Sequence, residues 1–189
     1  MLNTSRQPLG YKIAPLALMA LVIVIDQISK SLIVLSVPQN TGLCQFFGDF
    51  LRIVHVRNNA VAFSMGHNLP DTVRRILFGV APLVVLLLVL AVYFRNNDFT
   101  KLQRWLICGI VGGGFGNLID RFFRPAGVVD FIEVRWFGLR SSPFAFLRWE
   151  RWPTFNIADS VIVVCVIVLI ISFARSVSDE KKADSGAEL

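Results

Sequence analysis

The sequence predicts an all-α integral membrane protein with four transmembrane helices and a small β-containing extramembrane platform. Hydrophobic residues make up 54% of its 189 residues and charged residues 17%, with a mean hydropathy of +0.62. Such a composition is too apolar for a soluble domain of this length. Four apolar runs are each long enough to cross a bilayer, and a β-branched stretch lies in the loop after the first. We therefore expect a single membrane domain over residues 1–189.

The net charge of +6 does not indicate a nucleic-acid-binding protein. Its Lys and Arg residues are spread over the loops and form no continuous basic stripe, so anionic lipid head groups are the expected counter-charge. Cys108 and Cys165 lie in apolar runs and Cys44 in a polar segment. This spacing predicts neither a disulfide framework nor a metal site, and we expect the buried cysteines to act as small apolar side chains.

The first span is expected over residues 13–37. Its apolar core runs into the sequence DQISK and is not followed by a small-residue cleavage site, which favours an uncleaved helix over a secretory signal. Asp26 and Lys30 are four residues apart, so they share one helix face with the acid toward the N-terminus, the order that pairs the charges best.

The loop over residues 38–73 is long enough to need structure of its own. LRIVHVR, at residues 51–57, is rich in β-branched residues and partly alternating, which predicts a short strand lying on the membrane surface. His55 within it is interpreted as an exposed strand residue rather than a catalytic one, because no second His or Cys motif accompanies it.

The second span, about residues 74–94, is the clearest, since residues 76–94 carry no charge. The third, about residues 102–122, contains GGGFG, and small residues at four-residue spacing indicate close helix packing rather than a phosphate-binding loop. Gly113 and Gly116 belong to that pattern. The glycine face then ends in a polar cluster made of Asn117, Asp120 and Arg121.

A second polar loop, residues 123–154, holds Asp130 and the stretch FAFLRWERW, in which interleaved Trp and Arg suit the head-group layer. The fourth span follows at about residues 155–174, with Asn156 and Asp159 on one face of its first turn. Residues 175–189 are expected to form a polar, mobile tail.

Four spans impose a simple topological consequence. The end of the third span and the start of the fourth face the same side, as do the end of the first and the start of the second. Asp130, Asp159, Asp26, Lys30 and the loop after Asn58 should therefore meet at one membrane surface. The two termini and the connector over residues 95–104 carry eight Lys and Arg residues, and the loops on the opposite side carry ten. The positive-inside rule therefore does not decide the orientation.

Asp130 and Asp159 are the residues that point to chemistry, because ionisable groups at membrane depth are functional candidates. Two adjacent carboxylates tend to share one proton, which supplies an acid and a base near neutral pH. The ionised member can activate water for attack on a peptide carbonyl while the protonated member donates to the oxyanion. The structural alternative is that each aspartate caps a helix or pairs with an arginine.

Five ordered motifs together resemble the lipoprotein signal peptidase (signal peptidase II) family. The resemblance covers all four spans, and the motifs are DQISK, VRNNAVAF, GGFGNLIDR, VVDF and FNIADS. It implies an aspartic endopeptidase of the bacterial inner membrane, with cytoplasmic termini and a periplasmic active site. It also implies cleavage of prolipoproteins just before the diacylglyceryl-modified cysteine.

The resemblance also assigns site residues. Asp130 and Asp159 match the catalytic dyad, and a polar lining that would hold the substrate matches Asn58, Asn117, Arg121 and Asn156. Asp26 and Lys30 match a first-helix pair that is structural or positions the substrate, and Asp120 matches a residue that fixes Arg121 or the local loop. No metal or organic cofactor is expected, and the expected partners are the prolipoprotein substrate and membrane lipid, with the protein a monomer.

Two departures from the family pattern concern the surroundings of the site. Ala60 stands where the family usually has glycine, and the stretch between Asp130 and Asn156 is longer than usual. We interpret the added part as an enlarged surface loop that gates the site or contacts lipid.

Two functions of other classes remain as alternatives. A small proton-coupled transporter would use the buried acids as a relay, although these cluster at one surface, whereas a relay needs polar stations in both halves of the membrane. A membrane scaffold that assembles through its glycine face would tolerate the loss of both aspartates.

Overall fold

The computed structural model describes residues 9–58, 70, 73 and 76–187, with side chains described up to residue 178. Within these residues, four helical segments are long and apolar enough to cross a membrane: Leu9–Ser36, Ile76–Arg95, Lys101–Phe123 and Ile157–Ser178. A three-stranded antiparallel sheet accompanies them. The predicted fold class is therefore confirmed. The loop motif after Asn58, including Ala60, lies outside the described residues.

The helices and strands follow one another in an order that alternates membrane and platform. In chain order they are α1 (Leu9–Ile13), α2 (Leu16–Ser36), β1 (Gly42–Phe46), β2 (Leu51–Asn58), α3 (Ala81–Arg95), α4 (Lys101–Phe123), β3 (Val128–Val134) and α5 (Ile157–Ala187). A π-helical turn, Ile76–Val80, leads into α3, and a short 3₁₀ turn, Ala145–Arg148, lies in the loop before α5.

Local sequence explains where the spans begin. Pro15 separates α1 from α2 in the first span, because proline cannot continue the helical hydrogen-bond ladder. Thr100 caps α4, its hydroxyl accepting from the Gln103 N–H while the Gln103 side chain accepts from the Thr100 N–H. The fourth span begins at Ile157, two residues later than expected, because Asn156 precedes it as a capping residue.

The polar tail is largely helical, since α5 continues through it as far as Ala187. Its expected mobility stays a prediction. The tail contains no proline and its one glycine, Gly186, comes at the end. Adding residues to an existing helix gains one hydrogen bond each without a new nucleation step, so polar sequence of this kind can extend a span.

The sheet supplies the platform that carries one of the candidate aspartates. Its strand order is β1-β2-β3, and Val56 in β2 pairs with Asp130 in β3. Only the middle strand was predicted from the sequence. The outer two strands are short and show no sustained alternation of apolar and polar residues, although part of VVDFIEV in β3 does alternate in this way.

His55 is buried rather than exposed, so the sequence interpretation of this residue was wrong. Its side chain is 4% exposed, and Nδ1 lies 2.7 Å from the carbonyl oxygen of Val37 at the end of α2. The register between β2 and β3 shifts between Ile53 and Val56. Such a bulge re-aims the side chains beside it, which breaks the simple alternation from which exposure was inferred.

Two apolar clusters hold these layers together. One joins α3 to α4 through buried residues that include Leu86, Tyr93 and Val111, and the other joins α2 to β3 through Ile33, Val37, Val129 and Phe131. The cysteines are free, with Cys108 and Cys165 buried as expected.

The glycine face of α4 lies directly against its neighbours. A Cβ added at Gly113 would lie 2.7 Å from the backbone oxygen of Ala158, and one at Gly112 would lie 2.8 Å from that of Met19. At Gly116 it would lie 2.7 Å from Oδ2 of Asp26. No side chain fits at such distances, so glycine is what lets α2 and α5 approach the polar end of α4.

We expect Gly113→Ala to lower the thermal unfolding temperature of the detergent-solubilised protein. Alanine favours a helix over glycine by about 1 kcal/mol, but the clash with a backbone oxygen cannot relax by rotamer change and should cost about 1–3 kcal/mol. Gly10→Ala is the matched control, since nothing lies within 4 Å of its added Cβ. An unfolding temperature for Gly113→Ala equal to or above that of the control would contradict this account.

Candidate active site

The candidate site forms where α2, α4, β3 and the first turn of α5 meet. β3 supplies Asp130, α5 supplies Asp159 and α4 supplies Asn117. The topological argument from four spans predicted this convergence, and the structure brings the residues into hydrogen-bond contact.

Asn156 links the two aspartates. Its Nδ2 donates to Oδ1 of Asp130 at 2.8 Å, while its backbone N–H donates to Oδ2 of Asp159 at 3.2 Å. Its own Oδ1 accepts from the Asp159 N–H at 3.0 Å. The last two bonds form a reciprocal helix cap, so the capping role considered for Asp159 is real and coexists with its place beside Asp130.

Asp130 is almost fully removed from solvent, with 2% of its surface exposed. Asn58 donates to its Oδ2 at 3.0 Å from a diagonal position on the neighbouring strand, and Asn156 donates to its Oδ1. These bonds favour the carboxylate, but burial opposes it more strongly and the charge of Asp159 adds to that opposition. The result is that the pKa of Asp130 rises from 3.8 to about 7.

Asp159 has a different environment. Its carboxylate is half-buried and accepts from Asn117 Nδ2 at 2.7 Å and from the Asn156 N–H. It also lies in the first turn of α5, where the positive end of the helix dipole favours a negative charge. Arg121 lies on the same face of α4 as Asn117 and interacts electrostatically with Asp159 and Asp130.

A buried ionic cluster lies next to this pair. Lys30 Nζ is 2.8 Å from Asp26 Oδ2, 3.2 Å from Asp120 Oδ2 and 2.9 Å from Asn117 Oδ1. These three contacts use all three N–H bonds of the ammonium group. The side chains of Lys30, Asp26 and Asp120 are all 0% exposed. These three side chains are therefore closed off from solvent, and Asn117 connects them to Asp159 by hydrogen bonds.

The same cluster fixes the ends of neighbouring segments. Asp26 Oδ1 accepts from the Ala158 N–H at 3.1 Å in the first turn of α5. Asp120 Oδ2 accepts from the Val129 N–H at 3.0 Å, one residue before Asp130. Of the two roles considered for Asp120, this contact corresponds to fixing the local loop.

Sequence reasoning missed two members of the cluster. Gln27 Nε2 donates to the Gly116 carbonyl at 2.9 Å and to Asp120 Oδ1 at 3.1 Å, and Arg124 Nε lies 3.0 Å from Asp120 Oδ1. Arg124 was accessible to prediction, because it follows Asp120 by four residues. Gln27 had no such signal, since its partners lie about ninety residues away in the chain.

The chain is similar in sequence to lipoprotein signal peptidases of bacteria. Residues 18–175 match the family model described as signal peptidase (SPase) II. The lipoprotein signal peptidase of Treponema pallidum (strain Nichols) is 50% identical over 161 residues, which cover 85% of this chain and 83% of that protein. That of Treponema denticola is 44% identical over 172 residues, which cover 90% and 95%.

A solved structure extends the comparison to the fold. A bacterial membrane enzyme determined at 2.3 Å resolution gives a TM-score of 0.70 at 23% identity, covering 88% of this chain and 90% of its own. At that identity the likeness shows a common fold: four membrane helices with a small sheet.

We expect Lys30→Met to destabilise the protein strongly. The change leaves Asp26 and Asp120 buried without their shared counter-charge, and removing one partner of a buried ion pair typically costs about 3–5 kcal/mol. The measurement is thermal unfolding in detergent, with Lys101→Met as the control at an exposed position. Equal unfolding temperatures for the two variants would show that the cluster does not hold the helices together.

We expect Asp130→Asn to remove a pH-dependent loss of stability. Because the folded pKa of about 7 exceeds the ordinary 3.8, the folded state holds its proton longer. The stability that this proton contributes to the folded state is fully present below about pH 4. It is lost as the pH rises to about 7, a total of roughly 4 kcal/mol. Relative to the variant, wild type should therefore lose stability between pH 4.5 and pH 8. The exposed Asp98→Asn is the control. A stability difference between wild type and Asp130→Asn that does not change with pH would refute the raised pKa of Asp130.

Proposed function

The chain belongs to the signal peptidase II family, and we propose that it is an aspartic endopeptidase of prolipoproteins. It removes the signal peptide by hydrolysing the bond before the diacylglyceryl-modified cysteine. The observation that carries this proposal is the pair Asp130 and Asp159, joined through Asn156 and held in unequal environments. Unequal environments separate the two carboxyl groups into an acid and a base.

We assign the acid to Asp130 and the base to Asp159. Asp130 lies in the drier position, and its raised pKa keeps it largely protonated up to about pH 7. Asp159 is half-exposed, receives donors from Asn117 and the Asn156 N–H, and lies at a helix N-terminus, all of which favour the carboxylate.

The reaction then follows from these two states. Asp159 takes a proton from a water molecule as its oxygen attacks the scissile carbonyl carbon, and Asp130 gives its proton to the carbonyl oxygen. When the tetrahedral intermediate collapses, the C–N bond breaks and the proton held by Asp159 passes to the leaving nitrogen. In the same step a hydroxyl group of the intermediate returns a proton to Asp130 as the carbonyl re-forms, which releases a carboxylic acid and an amine and restores the starting state of the pair.

The remaining polar residues position this machinery. Asn58 and Asn156 orient the two oxygens of Asp130, and Asn117 connects Asp159 to the buried Lys30. Arg121 supplies a positive charge beside both aspartates, where it can hold a substrate carbonyl. Asp26, Lys30 and Asp120 are fully buried, which favours a positioning role over contact with substrate.

The protein is a multi-pass membrane protein, and the family suggests its placement. We infer that it lies in the bacterial inner membrane as a monomer, with cytoplasmic termini and the aspartate pair at the periplasmic surface. A lipid-modified substrate can then diffuse within the bilayer to a site at the membrane surface, where its acyl chains contribute binding energy that positions the peptide bond.

No observation favours the transporter alternative. The buried charges of α4 lie at its two ends, Arg104 near one and Asp120 near the other, and no charged residue separates them in the sequence. A proton relay would need ionisable groups along that path.

The test is cleavage of a purified diacylglyceryl-prolipoprotein in detergent by wild type, Asp130→Asn and Asp159→Asn. Each asparagine keeps the shape but removes the acid or base, so we expect each variant to lose about 10²–10⁴-fold in rate, the usual contribution of general acid–base catalysis. Asp98→Asn, an exposed substitution in the connector between α3 and α4, should cleave like wild type.

Two results would count against the proposal. Near-full activity in either folded dyad variant would exclude the two-aspartate mechanism. An inactive wild type, with folding verified by thermal unfolding, would count against the peptidase function itself.

A further inference from the structure

The loop between β3 and α5 forms a well-defined extension of the platform. Beyond β3 the chain folds back on itself, with the Trp136 N–H donating to the Glu150 carbonyl, the Gly138 N–H to that of Trp149 and the Leu139 N–H to that of Leu147. A bridge pairs Arg135 with Arg151 at its base. Residues 135–152, here called the extension, are therefore an irregular hairpin.

The extension is fixed to the turn between β1 and β2. Arg151 donates to both carboxylate oxygens of Asp49 at 2.6 Å, which keeps the pKa of Asp49 below its ordinary value. The Arg135 N–H also donates to the Phe50 carbonyl at 2.7 Å. The turn and the extension thus form one continuous edge of the platform.

This edge exposes large apolar side chains. We call them the aromatic rim: Phe46 at the end of β1, Phe47 and Phe50 in the turn, and Phe137, Phe144 and Phe146 in the extension. Phe47 is 85% exposed and has φ of 54°, a conformation that a bulky residue rarely adopts. Exposed apolar surface of this extent marks an interaction site.

The same edge carries an excess of positive charge. The extension contains four arginines and one glutamate. Arg151 pairs with Asp49 and Glu133, and Arg135 lies 3.8 Å from Asp49, but the side chains of Arg135, Arg140 and Arg148 are exposed. The pair between Arg140 and Glu150 has side chains 86% and 72% exposed, so water screens it and it neutralises little.

A polar cavity of about 350 Å³ opens between the turn and the extension. Arginines 135, 140 and 151 line it together with the carboxylates of Asp49 and Glu150. Three guanidinium groups against two carboxylates leave an excess of positive charge, which suits the oxygens of a phosphate group.

The position of the edge identifies its partner. α4 ends at Phe123 and α5 begins at Ile157, so the extension lies between two consecutive spans and its last residue, Trp152, is five positions from the membrane helix. Phe122 and Phe123, at the end of α4, are themselves exposed and continue the lipid-facing surface toward the platform. Aromatic and basic side chains that adjoin two membrane spans are typical of the head-group layer of a bilayer.

We propose that the aromatic rim and the exposed arginines of the extension dock onto the bilayer surface and bind anionic phospholipid head groups. This contact would hold the platform against the membrane. It concerns lipid rather than the prolipoprotein, and it does not depend on the peptidase activity.

The experiment uses the full chain carrying Trp105→Phe in lipid nanodiscs, so that Trp136, Trp149 and Trp152 provide all the tryptophan fluorescence. Quencher-labelled lipids carry the label near either the glycerol end or the methyl end of the acyl chain. We expect about twofold stronger quenching by the label near the glycerol end, because aromatic residues of the interface lie at that depth. Adding phosphatidylglycerol to phosphatidylcholine should strengthen it further.

Two double variants separate the apolar and charged contributions. Phe144→Ser with Phe146→Ser should weaken the quenching in both lipid compositions. Arg140→Gln with Arg148→Gln should abolish only the increase caused by phosphatidylglycerol. Arg95→Gln with Lys101→Gln removes the same charge around the connector between α3 and α4 and should change nothing.

Specific results would overturn the proposal. Quenching by aqueous iodide but by neither labelled lipid would place the extension in water. Lipid quenching that is indifferent to phosphatidylglycerol would exclude recognition of anionic head groups. Both readings use the unaltered extension, so they require only that the Trp105→Phe chain folds, which its thermal unfolding checks.

Discussion

The structure depends on one buried cation. Lys30 is fully enclosed and shared between Asp26 of its own helix and Asp120 of α4. A lone charge at this depth is very costly, so the three side chains are stable only together, and Asp26 and Asp120 in turn hold the backbone N–H groups of Ala158 and Val129. One electrostatic requirement therefore sets the relative positions of α2, α4, α5 and β3.

The glycines of α4 and this cluster are two parts of one arrangement. Helices that carry side chains at their contact lie about 8–10 Å apart. Asp26 reaches the face of α4 because Gly116 presents no Cβ there, and α5 approaches because Gly113 presents none. Apolar packing through most of the membrane thus ends in a polar junction, and the candidate site occupies the solvent side of that junction.

The sequence predicted much of the candidate site because polar residues close to the ends of long apolar runs are easily recognised. Asp130, Asp159, Asn117 and Asn156 were found in this way, and the pair Asp26 and Lys30 followed from helix spacing. Contacts between distant segments could not be derived, since nothing local relates Lys30 to Asp120 or Gln27 to Gly116. The outer strands and the burial of His55 were missed because short strands and bulges take their register from partners elsewhere in the chain.

Asn156 both caps a helix and donates hydrogen bonds to the site, which limits the amino acids that can occupy this position. Its oxygen caps α5 while its amide group donates to Asp130 and, at 3.0 Å, to Asn117. Aspartate would cap the helix but offer no donor and add a third carboxyl group. Serine or threonine would offer a single hydroxyl hydrogen on a shorter side chain. Of the residues that cap helices well, asparagine alone carries an acceptor and two donors, so the start of this helix and the arrangement of the aspartates are specified by one chemical choice.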